Sequence, residues 1–520
     1  MTSKSFNLID SPWIPVVMVD GKERLVGLKE LFDSSRCIAD LSVRPEERVA
    51  LMRLLMCISY ASQRGKDWAS HLQELENDAI DYLAEWHESF WLHHDEKPFL
   101  QIAGLRFIGK DSEKLTPLSK LDFALASGNN SQLNDHGGVE IDDAKVARGI
   151  LVCQCFSPGG LISPICWNGN ESTKNSIDAP CIPSGMLHAF LRGRTLKQTL
   201  RQNLPSPDVL ITRFKHELGN DVVGEPVWEM FPQSFHDSKA VLNATRTLVG
   251  RLVPLSRAIL IKNNGMILGE ALQYPSFNSA ETYFPEELSA TVRERAIKNG
   301  KKELKQLELL KFNPDKAAWR EMPAFLLQFS TMAFGRGPLT LSALFKDTPK
   351  DNEIDVVVVG VCRDKASIKE TAEMSYPIRP KLLTEIGRQD YEFGLKQADL
   401  WAGRLGKAME TMRSSLDEGW DARVEKAGAG RQDLLQKLKR NAYIDYWTVA
   451  EQNIKILFDA ANSETDEAAR EGLRDWSHLL QKAALKAYQR MESQLSGRHR
   501  RAYILGLRRL IKRKGDDHEK

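Results

Sequence analysis

Three histidines and an aspartate crowd the segment EWHESFWLHHDEKPF: His87, His93, His94 and Asp95. Imidazole and carboxylate groups bind divalent metals, and a metal-activated water would suit a metal-dependent nuclease. The spacing argues against that chemistry. H-E-x-x-H, which stacks two imidazoles on one helical face, is missing. The interleaved Trp86, Phe90, Trp91 and Phe99 favour a structural, aromatic-rich segment. Four of the seven cysteines, Cys153, Cys155, Cys166 and Cys181, fall close together. Their pattern is C-x-C followed by long gaps, not the paired C-x2–4-C that lets thiolates share a zinc ion. They read as small buried apolar residues, with free thiols suited to a reducing cytoplasm. The phosphate loop G-x-x-x-x-G-K-[ST], the elbow G-x-S-x-G and a strand-following G-x-G-x-x-G are all missing. No set of residues nominates itself as nucleophile, acid and base. The chain therefore reads as a non-enzyme without cofactor or metal.

The remaining chemistry is basic. Residues 482–514 carry Lys482, Lys486, Arg490, Arg498, Arg500, Arg501, Arg508, Arg509, Lys512, Arg513 and Lys514 against Glu492 alone. A helix this basic can track phosphates and release their counterions. Arg500, Arg501, Arg508 and Arg509 are the candidates for non-specific phosphate contact. A solvated outer face, or an acidic partner subunit, explains the same charges. The whole chain of 520 residues hides this bias, because its net charge is only +2. Residues 381–520 carry net +5 and the remainder net −3.

The elements that must position these groups follow from pattern. Hydrophobic content of 42% and charged content of 27% fit a folded chain and exclude disordered or collagen-like classes. No apolar run approaches the roughly 20 residues of a spanning helix, and Met1–Phe6 lacks an apolar signal core. No membrane partner is expected. WIPVVMV, Asp20-Gly21 and ERLVGL form a hairpin. LKELF starts a short helix, Pro45 opens a longer buried one, and residues 70–92 continue helical. Residues 124–140, rich in Gly, Asn and Ser, form an exposed loop. Residues 156–185, with FSPGGLISP, NGN and APCIPSG, form a second long irregular stretch. ILIKNNGMIL is a second hairpin. IDVVVVGV is a strand buried on both faces, ending in the polar tip Cys362-Arg363-Asp364-Lys365-Ala366. From about 386 helix formers dominate, with helices near 388–415, 429–460, 465–494 and 497–514. Ile444, Trp447, Ile454 and Leu457 mark one apolar stripe; Leu473, Trp476, Leu480, Ala483, Ala484 and Ala487 mark another. The fold class is α+β: a large mixed α/β N-terminal domain, 1–385, and a C-terminal four-helix bundle, 386–520.

Several of these segments together resemble one family. NLIDSPWIPV (7–16) is similar to the opening signature of CasA, the large subunit of the type I-E CRISPR Cascade complex. FWLHHDEKPFLQ (90–101) is similar to that family's aromatic–His–Pro-Phe-x-Gln segment. A Gly/Asn loop, a glycine-containing stretch and a helical bundle follow in the family's order. The resemblance implies a non-catalytic subunit of an RNA-guided surveillance complex. Its implied work is to recognise the protospacer-adjacent motif in duplex DNA, promote local opening and R-loop formation, and help recruit the helicase–nuclease. The implied partners are double-stranded target DNA, guide RNA, other Cascade subunits and that effector.

Three sites are implied by the same resemblance. Asp364, Lys365 and Ala366 match the family's wedge, which enters the duplex beside the motif. The family has glutamine where Lys365 stands. Lysine donates to minor-groove acceptors but cannot accept from guanine N2, so weaker base discrimination or a different motif is expected. Gly159 and Gly160 match the glycine loop that lies in the minor groove. Glycine lets peptide groups approach base edges closely. Leu133 and Asn134 match a loop that reaches the guide-RNA 5′ end and neighbouring subunits. Lys262, in the second hairpin, lies near a DNA-contacting lysine of some members.

Overall fold

The computed structural model describes residues 4–108, 115–122, 141–182, 185–218, 223–262, 265–274, 285–299, 302–313, 316–326, 335–345, 354–364, 367–418, 429–495 and 497–511. The chain divides into two compact units. One comprises Met1–Thr348 with Ile354–Tyr376, the other Pro349–Glu353 with Pro377–Lys520.

The first unit is built around a buried helix, Pro45–Ala61. Proline opens it, where its missing N–H costs nothing, and the Glu47 carboxylate accepts from the Arg44 backbone N–H at 3.1 Å. Almost every residue of this helix is buried, which its run of Val, Leu, Met and Ile dictates. The opening hairpin is as the pattern requires. Strand Ile14–Met18 pairs antiparallel with Glu23–Val26, with Ile14 opposite Val26. Gly21, at φ +84°, takes the left-handed turn conformation. A third strand, Ile38–Leu41, completes the sheet. The neighbouring Trp13 is fully buried and donates its indole N–H to the Leu8 carbonyl at 2.8 Å.

The helix expected over 70–92 spans Trp68–Glu85. Beyond it come a 3-10 turn, His87–Ser89, and a strand, Trp91–His93, paired with Ser5–Asn7. Aromatic packing sets this course. Phe90 and Phe99 stack with centroids 5.0 Å apart, and both rings lie against Trp228.

Strand Ile354–Asp364 sits between Leu187–Arg192 and Ser367–Ile378. Its pairing with the former is antiparallel, from Leu187 opposite Gly360 to Arg192 opposite Asp355. Val356, Val357, Val358, Val359 and Val361 are all buried, so both faces are covered. The Pro45–Ala61 helix packs on this strand.

The second unit contains the helices Glu385–Glu418, Ala429–Gln452, Ile454–Ala461, Asp466–Gln489 and Arg500–Ile511. The helix expected over 429–460 is broken at Asn453, whose side chain donates to the Val449 carbonyl at 2.8 Å. The stripe through Leu473, Trp476 and Leu480 is buried. Trp476 donates its indole N–H to the Gly394 carbonyl at 3.0 Å. The stripe expected at Ile444 and Trp447 is displaced. Ile444 is 50% exposed, and Leu438, Ala442, Tyr446 and Ala450 fill the core instead. The buried row runs at four-residue steps and is made largely of small or hydroxyl-bearing residues, so raw apolarity points to the wrong face. Tyr446 resolves its hydroxyl by donating to the Ala398 carbonyl at 2.7 Å. Tyr488 and Tyr503 stack on each other at 5.2 Å inside the bundle, which leaves neither ring for a base.

Candidate nucleic-acid interface

Residues 156–182 carry far more regular pairing than their composition suggests. Helix Asp143–Phe156, capped by the Asp142 carboxylate accepting from the Lys145 N–H at 2.7 Å, delivers the chain to its root. Gly160–Leu161 then pairs with Asn175–Ser176. Ile165–Trp167 pairs with Asn170–Glu171 and with Arg106–Phe107. Asn168 (φ 47°) and Gly169 (φ 82°) form the two-residue turn of that hairpin. An Asn-Gly pair suits this turn because both positions need positive φ.

The root is tied by one buried arginine. Arg257 is 2% exposed. One terminal nitrogen, Nη2, donates to the carbonyls of Ser157 (3.2 Å), Pro158 (3.2 Å) and Ile177 (2.7 Å). Nη1 donates to the Glu270 carboxylate at 3.1 Å and to the Ser256 carbonyl at 2.9 Å. The other Glu270 oxygen accepts from the Ile177 N–H at 3.2 Å. Backbone bonds close the neck below, from Ala179 N–H to Ser157 O and from Cys181 N–H to Cys155 O, both 2.9 Å. One ion pair thus grips both limbs of the segment above a main-chain neck.

Arg257 and Glu270 stand opposite each other at the base of the hairpin Arg257–Lys262 and Gly265–Glu270. Lys262, at its other end, is exposed. Buried glutamines fix this hairpin. Gln154 accepts from the Arg257 N–H at 2.8 Å and donates to the Arg257 and Leu100 carbonyls. Gln101 accepts from the Ile261 N–H at 3.0 Å and donates to the Leu92 carbonyl at 2.7 Å. The glutamine closing FWLHHDEKPFLQ therefore joins the aromatic segment to the hairpin.

Gly159 and Gly160 differ in role. The Gly159 N–H donates to the Asp178 carboxylate at 2.8 Å. A Cβ at 159 would lie 2.8 Å from the Ser176 carbonyl oxygen and 3.0 Å from the Asp178 nitrogen. Glycine there serves the chain's approach to itself. Gly160 is exposed, with its N–H donating to the Ser176 hydroxyl at 3.2 Å and its carbonyl accepting from that hydroxyl at 3.1 Å. Leu161 beside it is 91% exposed. Neither Arg257 nor Leu161 emerges from the sequence pattern. The Asn-Gly turn signal is present in the sequence, inside a stretch whose composition reads as irregular.

Burial pushes the Glu270 carboxyl up to about 7, against the pull of Arg257 and the Ile177 N–H. Its ordinary value is 4.5. Between these two values the folded state holds the extra proton, so this contribution to stability falls as pH rises through that window and is level outside it. Glu270→Gln keeps an acceptor for Ile177 and removes the titration. Melting temperatures measured from pH 4.5 to 7.5 are expected to fall with pH more steeply for the parent than for the variant. Parallel curves would show that Glu270 titrates normally.

The histidine segment does not assemble a metal site. The His87 Nε2 pairs with Asp10 at 2.8 Å, and the His93 Nε2 pairs with Asp143 at 2.9 Å. The His94 Nδ1 accepts from the backbone N–H groups of Glu96 and Lys97 at 3.0 and 3.1 Å. Among the described residues no group of three or more His, Cys, Asp or Glu is placed to hold a metal. Asp364 closes its strand, while Lys365 and Ala366, like Leu133 and Asn134, lie outside the described residues. Arg500, Arg501, Arg508 and Arg509 are all exposed on the last helix, Arg500–Ile511. Lys482, Lys486 and Arg490 are exposed on Asp466–Gln489 and its cap, with Arg490 bonded to Asp445 at 3.0 Å.

Residues 7–487 match the family model of CRISPR-associated protein Cse1. The chain is 28% identical over 516 residues to CRISPR-associated protein CasA/Cse1 of Thermus thermophilus, covering 93% of this chain and 92% of that protein. Its fold is similar to that of Thermobifida fusca Cse1, with a TM-score of 0.74 at 18% identity over 98% of each chain. It is also similar to a chain of a CRISPR RNA-guided surveillance complex, with a TM-score of 0.70 at 16% identity over 98% of this chain and 100% of that one. A model match running almost from end to end places the chain in the Cse1 family of CRISPR-associated proteins.

Proposed function

We propose that this chain is the non-catalytic large subunit of an RNA-guided CRISPR surveillance complex. It recognises the motif flanking the target in duplex DNA, promotes local opening and R-loop formation, and helps recruit the helicase–nuclease. Sequence reading of the target itself falls to the guide RNA. Leu133 and Asn134 contact the guide-RNA end or neighbouring subunits, and Asp364, Lys365 and Ala366 form the wedge. The observation that carries this reading is the clamped segment: in a Cse1-family chain, Gly160 and Leu161 stand exposed above a buried Arg257 root. A rigid root with an exposed glycine beside it is suited to a groove, where the chain must approach base edges closely. His87, His93 and His94 each bond to a different partner rather than converging on one point.

The test is a mobility-shift screen of the reconstituted complex on duplexes with a randomised flanking motif. The parent is expected to prefer a subset of flanks by tenfold or more. A complex carrying Lys365→Ala and Gly160→Val is expected to lose that preference. Unchanged preference would sink the site assignment, and equal binding to all flanks by the parent would leave a structural adaptor.

The basic helix makes a separate prediction. Neutralising Arg500, Arg501, Arg508 and Arg509 to glutamine weakens binding to all flanks alike. The log–log salt slope then flattens by about 0.9 for each phosphate that is no longer neutralised. A slope equal to the parent's would assign this face to protein or solvent.

A further inference from the structure

Among the described residues, Leu161 is the most exposed of the large apolar side chains, at 91%. Its strand, Gly160–Leu161, sets it directly opposite Asn175. Opposed residues of an antiparallel pair project from the same face, with Cβ atoms about 5 Å apart. One leucine and one amide therefore stand side by side, next to the exposed Gly160. Asn175 is itself exposed. Its carbonyl accepts from the Thr173 hydroxyl at 2.7 Å, while its side-chain amide makes no hydrogen bond among the described residues.

The surrounding charge suits a polyanion. Lys174 is exposed beside Asn175, and its carbonyl accepts from the Ile162 N–H at 3.0 Å. The acids of the segment are placed elsewhere. Asp178 is half-buried, with its carboxylate accepting from the Gly159 N–H at 2.8 Å. Glu171 belongs to the other strand pair, opposite Cys166. Leucine beside an amide is also the composition of a minor-groove reader. Proteins of that kind read base edges with Asn, Gln, Lys or Arg and insert an apolar wedge, Leu among them, between base steps. An amide donates to adenine N3 or thymine O2 and accepts from guanine N2. Lys365 cannot accept there; Asn175 can. Arg257 and the neck already fix the backbone of both limbs, so little ordering is left for binding to supply.

We infer that Leu161 enters a base step of the flanking motif from the minor groove while the Asn175 amide meets the base edges beside it. This rests on the DNA-recognition reading above, and it makes both residues determinants of flank preference. The test uses the reconstituted complex, loaded with a guide that does not match the target, so that no R-loop forms. Duplexes carry 2-aminopurine, which brightens on unstacking, at single flanking positions. The parent is expected to brighten one position severalfold. Leu161→Ala should hold it near the free duplex, and Leu161→Met, another apolar wedge, should restore it. Replacing guanine by inosine removes the N2 amino group, and this should change the parent's affinity at least fivefold at one flanking position. Asn175→Ala should make the complex indifferent to that change. Both sites are exposed, so melting temperatures should equal the parent's. Brightening unmoved by Leu161→Ala, or inosine sensitivity unmoved by Asn175→Ala, overturns the inference. A parent that prefers certain flanks but brightens no position, or ignores inosine, overturns it and leaves the recognition reading standing. A parent without flank preference overturns both.

Discussion

Arg257→Leu is expected to be the most damaging single substitution near the candidate interface. Leucine removes the donor shared by three carbonyls from the two limbs of the glycine segment. It also leaves Glu270, whose side chain is only 3% exposed, without its counter-charge, so that the carboxyl must either stay buried as a lone charge or take up a proton. Breaking one side of a buried ion pair typically costs about 3–5 kcal/mol, a large share of a domain's stability. Chemical denaturation should show a loss of that size. Hydrogen exchange should show early opening of the Ile177 and Ala179 amides, whose acceptors lie at the root. Arg257→Leu combined with Glu270→Gln should recover part of the loss, because the stranded charge is gone. A double variant no more stable than the single one would mean that the carbonyl bonds, rather than the charge, hold the root. Full parent stability in Arg257→Leu would refute the clamp.

Gly159→Val is expected to carry the second largest effect. The added Cβ would press on the Ser176 carbonyl at 2.8 Å and on the Asp178 nitrogen at 3.0 Å, both backbone atoms with no side chain to swing aside. Relief requires the limbs to part. Overpacking of this kind costs about 1–3 kcal/mol, and it shifts the tip that the proposed function places in the groove. The reconstituted complex should lose flank preference at least tenfold while the chain still assembles, checked by mobility shift and by size-exclusion chromatography. Preference equal to the parent's would show that the spacing of the limbs does not matter for DNA.

Much of the scaffold is legible in the sequence because local rules and burial agree there. Pro45 begins a helix whose apolar run has to be buried, and IDVVVVGV is covered on both faces. His87 and His93 are close in sequence, and a 3-10 turn and a strand send them to Asp10 and Asp143. Where pattern misleads, long-range packing prevails. Ile444 is more apolar than Ala442, yet the bundle takes the alanine inside, where a small residue fits the helix spacing. The candidate site is only half visible. Gly159 and Gly160 stand out as a pair, and Asn168-Gly169 carries the signal of a hairpin turn. The grip of Arg257 on the segment cannot be found by pattern, because the carbonyls it bonds there lie 80 to 100 positions away and leave no mark in a sequence; its pairing with Glu270 follows from the hairpin register.

The closed neck of the glycine segment has an evolutionary consequence. The limbs meet at Ser157 and Ala179 through the main chain, and Arg257 grips carbonyls rather than side chains. Beyond the neck, however, Ile165 and Trp167 are buried, their strand pairs with Arg106–Phe107, and Trp167 meets Phe235 edge-on. Only the exposed positions, such as Gly160, Leu161, Asn170 and Glu171, can change without compensating changes in the core. A transplant of residues 159–176 between relatives must therefore bring the partners of Ile165 and Trp167 with it.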